Sequence, residues 1–145
     1  MSKIAYIIAT TLFAGLTSCD IEHIDNGHLD GLWKLQAIDS LSNQATVDMS
    51  GSNIAYAVQG NLLRLRLTPS SSRIFYYRFD HQGDSLILHD PYVNIFDESE
   101  PLTDLNEVRP FGINSIPREA FHVDELSRSK MVLSSEYLRL HFEKY

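Results

Sequence analysis

The sequence predicts an all-β chain: an eight-stranded antiparallel up-and-down barrel, with one short helix in a long connection and a signal peptide in front. Three observations carry this. From Gly31 onward apolar residues recur with period two rather than 3.6. The alternating runs are short and separated by hairpin-length turns. A length of 145 residues, with 43% hydrophobic and 21% charged side chains, suits one packed domain.

The strands follow in order. The first spans residues 31–39, where Trp33, Leu35 and Ala37 lie opposite Lys34 and Gln36. The second (52–59) and third (62–68) meet at Gly60-Asn61, a hairpin signal, and the third sets Leu63, Leu65 and Leu67 against Arg64 and Arg66. The fourth (72–80) is aromatic and β-branched, which suits a pleated surface. A turn through His81-Gln82-Gly83-Asp84 leads to the fifth (85–89). Three more follow at 119–126, 129–134 and 136–144, the last with Leu138, Leu140 and Phe142 on one face. Sequential hairpins favour a barrel over a sandwich, which generally needs Greek-key crossings.

Residues 90–118 break the pattern and hold four of the five prolines, Pro91, Pro101, Pro110 and Pro117. A connection that long is usually functional or has structure of its own. Leu102–Arg109 is the expected short helix, with Thr103 or Asp104 as N-cap and Pro110 as its stop.

The N-terminus reads as an address. Lys3 precedes an apolar run over residues 4–16, too short to span a bilayer, which needs roughly 20 apolar residues. Leu16-Thr17-Ser18-Cys19 resembles the lipobox of bacterial lipoproteins. That resemblance implies a signal peptide over 1–18, cleavage before Cys19, diacylglycerol on the Cys19 sulfur, and a further fatty acyl chain, of the palmitate type, on its new amino group. Several acyl chains hold a bilayer stably where one does so only marginally. Residues 19–30 then form a lipidated tether and 31–145 the barrel domain. The expected location is the cell envelope, lipid-anchored at the outer membrane. Asp20, Glu22 and Asp25 resemble a surface-export signal of some diderm lineages, whereas Asp20 alone would retain the protein at the inner membrane of some enteric bacteria.

Gly31-Leu32-Trp33 on the first strand and Arg139 on the last resemble the lipocalin and wider calycin pattern, and more closely its small bacterial lipoprotein members. The resemblance implies that Trp33 closes one end of the barrel and that Arg139 packs across it, although alternation sets Arg139 opposite the Leu138/Leu140/Phe142 face. The Thr-Asp-Tyr motif of full lipocalins and their C-terminal helix are missing. A net charge of −7 argues against nucleic acid as a partner. No catalytic motif and no Cys/His zinc spacing is present, so neither an enzyme nor a metal or other cofactor is expected.

Two functions stay open. In the first, the membrane-anchored barrel binds a small apolar or amphipathic ligand. Trp33, Tyr56, Arg64, Arg66, Tyr76 and Tyr77 are its candidate contacts, tyrosines and arginines offering the few polar groups that fix a ligand's head. Alternation with leucines would instead turn Arg64 and Arg66 to solvent. In the second, the barrel is solid and grips another envelope protein, as an inhibitor or assembly subunit would.

Overall fold

The structure, a computed structural model, describes residues 25–67, 73–95 and 98–145. Cys19 and the signal segment lie outside these residues. The strands are β1 (Gly31–Ser40), β2 (Thr46–Asp48), β3 (Ile54–Gln59), β4 (Leu62–Leu67), β5 (Arg73–Gln82), β6 (Ser85–Ile95), β7 (Glu98–Pro101), β8 (Glu119–Leu126), β9 (Lys130–Ser134) and β10 (Leu138–Lys144). Eight of them close a barrel in the order β1-β3-β4-β5-β6-β8-β9-β10, and β10 pairs back onto β1. They are the eight that alternation predicts. β2 is a spur beside the far half of β1, and β7 pairs β6.

Period-two patterning decides the inside. Trp33 and Leu35, Tyr56 and Val58, Leu63 and Leu65, Phe75 and Tyr77 are buried, as are Phe121, Met131, Leu133, Leu140 and Phe142 further round. Each such side chain contributes about 1.5–3 kcal/mol of hydrophobic stabilisation. Tyr56 packs on Phe142 across the interior, ring centroids 4.7 Å apart.

Register shifts at Leu35/Ala37, Tyr76/Arg78 and Val123/Glu125 curl the sheet towards closure. At the second, Tyr77 faces both Asp90 and Pro91, with Asp90 at φ 49°. Proline lacks the ladder N–H and is tolerated at such a bulge. β6 therefore runs on through Pro91 to Ile95, six residues beyond the expected end at His89.

Two carboxylates brace the outer face. Asp39 on β1 accepts from Thr46 Oγ1 at 2.7 Å and lies 2.7 Å from His141 Nε2 on β10. Asp124 on β8 gathers His122 Nδ1 at 2.7 Å, Ser134 Oγ at 2.9 Å and Arg139 Nε at 3.1 Å.

Candidate ligand-binding interior and its two closures

The barrel is sealed at one end by the chain that enters it. A 3₁₀ turn over Gly27–Leu29 buries Leu29, whose carbonyl accepts from Trp33 Nε1 at 2.8 Å. Asn26 Nδ2 donates to the Gly60 carbonyl at 2.8 Å, fastening the entering chain to the β3–β4 turn. The cation over Trp33 is Lys144, its Nζ 4.6 Å from the ring centroid and 3.0 Å from the His28 carbonyl that it donates to. Arg139, expected there, points outward to Asp124 because it is out of phase with Leu140 and Phe142. Gly31 explains the close approach: it has φ +127°, and a Cβ would stand 3.1 Å from Lys144 Cε.

The opposite end is closed by the connection from β7 to β8. The single helix expected over Leu102–Arg109 is instead two consecutive 3₁₀ turns, Leu105–Glu107 and Arg109–Phe111. Asp104 does cap the first, its side chain accepting from Asn106 N at 2.9 Å. Pro110 has no N–H with which to continue an α-helical ladder, and it enters the second turn instead. Leu102, Val108, Phe111 and Ile113 from this segment are buried in the same core as the barrel strands.

Four contacts hold this cover. Tyr56 Oη donates to the Phe111 carbonyl at 2.5 Å, and the Phe111 ring meets Phe75 edge-on at 5.9 Å. Asn114 N donates to Glu119 Oε2 at 2.6 Å. Arg73 at the rim pairs with Glu107 at 2.6 Å. Gly112, at φ +84°, lets the backbone lie against Leu140, since a Cβ there would meet Leu140 Cδ2 at 2.6 Å.

The six candidate contacts fall on two faces. Trp33, Tyr56 and Tyr77 point inward and are fully buried, Trp33 within the base and the two tyrosines in the middle of the barrel. Arg64, Arg66 and Tyr76 lie on the outer face, opposite Leu63, Leu65, Phe75 and Tyr77. There Arg64 pairs with Tyr76 across the β4–β5 ladder, and Tyr76 stacks on Tyr92 at 5.1 Å. One interior ligand cannot touch both sets.

Glu119 is the interior residue that sequence reasoning passed over. It is 5% exposed, accepts from the Asn114 and Ser115 amides, and has its carboxyl pushed up by burial. The same burial, with the Glu119 charge nearby, pushes up the Tyr77 hydroxyl and also that of Tyr56. The Tyr77 hydroxyl has no hydrogen-bond partner among the described residues. A signal existed: Glu119 stands in phase with the inward Phe121 and Val123.

Two clefts open on the outside. One of about 340 Å³ lies beside the sealed base, between Asn26, Asn61, Phe79 and His81. The other, about 330 Å³, runs along Tyr92 and Pro101 at the β6–β7 hairpin. Near the first, His89 lies between Asp80 and Asp90, at 3.1 and 2.9 Å. No group of three or more metal-ligating side chains occurs among the described residues.

A profile of the lipocalin-like domain matches residues 14–145. The chain belongs to the lipocalin-like domain family. A crystal structure of a lipocalin-like protein from Bacteroides uniformis is similar in fold, with TM-score 0.58 and 20% identity, covering 82% of this chain and all of that one. An uncharacterised protein from Bacteroides eggerthii aligns with TM-score 0.56 and 20% identity over 80% of this chain and 98% of its own. No curated protein matches. The base of this lipocalin-like barrel keeps the Trp33–cation contact that the resemblance implies, supplied from a different position on β10.

Proposed function

We propose that this protein is a membrane-anchored lipoprotein whose lipocalin-like barrel takes up a small apolar or amphipathic molecule, as a binding protein rather than a catalyst. The anchor is Cys19, acylated after removal of residues 1–18, and the expected place is the outer membrane. The observation that carries the binding reading is the seat of Phe111. Its ring meets inward Phe75 and its carbonyl takes the Tyr56 hydroxyl, so the cover occupies the position an aromatic or apolar ligand would fill. The cover itself consists of 3₁₀ turns with no strand pairing between Thr103 and Arg118, which makes it the cheaper part of the molecule to displace.

Titration of the full chain with Nile red, a neutral apolar dye, tests this. Saturable uptake by the native chain is expected, and tighter uptake by Phe111→Ala, which empties the seat. Absence of saturable uptake by both would overturn the reading. The anchor has its own test: the intact mass of membrane-extracted protein should show acylated Cys19 as the first residue.

A second reading, a solid barrel that grips another envelope protein, is favoured by the apolar side chains around the covered end. Leu41, Val47 and Tyr137 are exposed there, on or beside the spur and the β9–β10 turn. Crosslinking in intact cells separates the two. A discrete adduct lost on Tyr137→Ser, with no dye uptake, supports the partner.

A further inference from the structure

Inside an apolar barrel, Tyr77 and Glu119 are expensive residues. A buried hydroxyl without a partner costs about 1–3 kcal/mol, and phenylalanine would fill the same space without that cost. Phe75, two positions earlier on the same face of β5, shows that the site accepts an unsubstituted ring. Glu119 receives two amide donors, Asn114 and Ser115, out of about four lone-pair sites that a carboxylate offers. Both residues are buried, Glu119 accepts from Asn114 of the cover, and Tyr77 lies near enough to Glu119 to feel its charge.

The charge balance of this space has one sign. Arg64 and Arg66 are on the outer face, Lys144 is committed to Trp33 and His28 at the base, and Arg73 is paired with Glu107 at the rim. Among the described residues, what remains inward is one carboxyl group and two phenols. A ligand carboxylate entering here would set like charge beside Glu119 in a low-dielectric interior, a strongly disfavoured arrangement. An ammonium or hydroxyl head would instead donate to the free Glu119 lone pairs and meet the Tyr77 hydroxyl, completing both groups.

We propose that Tyr77 and Glu119 form the head-group receptor of the barrel interior, selecting apolar molecules whose head donates hydrogen bonds, an amine or an alcohol, over carboxylic acids. This rests on the reading of the interior as a ligand site. Displacement of Phe111 releases the Tyr56 hydroxyl as a third polar contact for the same head.

The test uses three probes of matched ring and chain: phenylbutylamine, phenylbutanol and phenylbutyrate. Each is titrated calorimetrically into the full chain at neutral pH. The amine and the alcohol should bind at least about tenfold more tightly than the acid, equivalent to 1.4 kcal/mol. Glu119→Gln should lower amine affinity and weaken the bias against the acid. Tyr77→Phe should lower alcohol and amine affinity while leaving the folded chain at least as heat-stable, the mark of a residue kept for binding rather than packing. Equal affinities for the three heads, tighter binding of the acid, or variants that change none of them would overturn the proposal. If Nile red is taken up but the heads are not distinguished, the receptor assignment alone falls. If neither dye nor any probe binds, the ligand-binding reading falls with it.

Discussion

Glu119 accepts amide hydrogen bonds from Asn114 and Ser115, yet burial still holds its carboxyl above the ordinary 4.5. The folded chain therefore keeps this proton to a higher pH than the unfolded chain does. Its contribution to stability is full below 4.5 and is lost as pH rises through the raised folded value. Glu119→Gln keeps an acceptor for Asn114 without the buried charge. Thermal melts should show it a few degrees more stable at neutral pH, with a flatter profile above 4.5; a lower melting temperature would mean the amide bonds outweigh burial. Asp39 behaves oppositely. Hydrogen bonds from His141 and Thr46 hold it below the ordinary 3.8, so its contribution is present above that value and disappears as pH falls through the folded one. Asp124 is also lowered: burial opposes the shift, but His122, Ser134 and Arg139 outweigh it. Both carboxylates brace strands near the β10 seam, so Asp39→Asn should shrink the loss of stability on acidification in melts below pH ~4. At the base, Lys144→Met should cost about 1 kcal/mol and shift Trp33 emission, because it removes the cation from the indole and the donor from His28. Arg139→Gln should leave that emission unchanged.

The elements differ in how openly the sequence declares them. Eight strands are legible because Leu63, Leu65 and their counterparts alternate with polar residues over five or more positions. β6 is half hidden, since Asp90-Pro91 imitates a stop while the bulge opposite Tyr77 absorbs it. β2 and β7 are three and four residues long with no buried side chain, so they carry no hydrophobic pattern at all. The cover is least legible. Phe111 and Val108 follow no period, and their place in the core depends on Gly112 lying against Leu140. Of the site itself, Tyr56 and Tyr77 could be found by their phase, whereas Arg64 and Arg66 attract attention by chemistry and are turned away by that same phase. Gly112→Ala tests the cover as an element. Its φ of +84° and the 2.6 Å approach to Leu140 predict a loss of about 1–3 kcal/mol, read by chemical denaturation, with dye uptake faster than in the native chain.

As a whole molecule, the barrel joins one continuous closed ladder to a lid that the ladder does not include. Hydrogen exchange should therefore separate into two classes. Amides of β5 and β6 should open only with global unfolding, while those of 105–118 exchange through a local opening of lower free energy. Protection of 105–118 equal to that of β5 would mean that the cover is an integral part of the fold. Excess of an amine probe should raise the global stability and, if it enters by displacing Phe111, lower the protection of the cover. The fastening of Asn26 to Gly60 gives the container a direction. The described chain enters at the sealed base, so the proposed anchor at Cys19 would set the closed floor towards the mooring and the covered end away from it. Cargo would then be exchanged with whatever lies across the aqueous gap rather than with the bilayer underneath, and a longer or shorter run between Cys19 and Asn26 would set how far that exchange can reach.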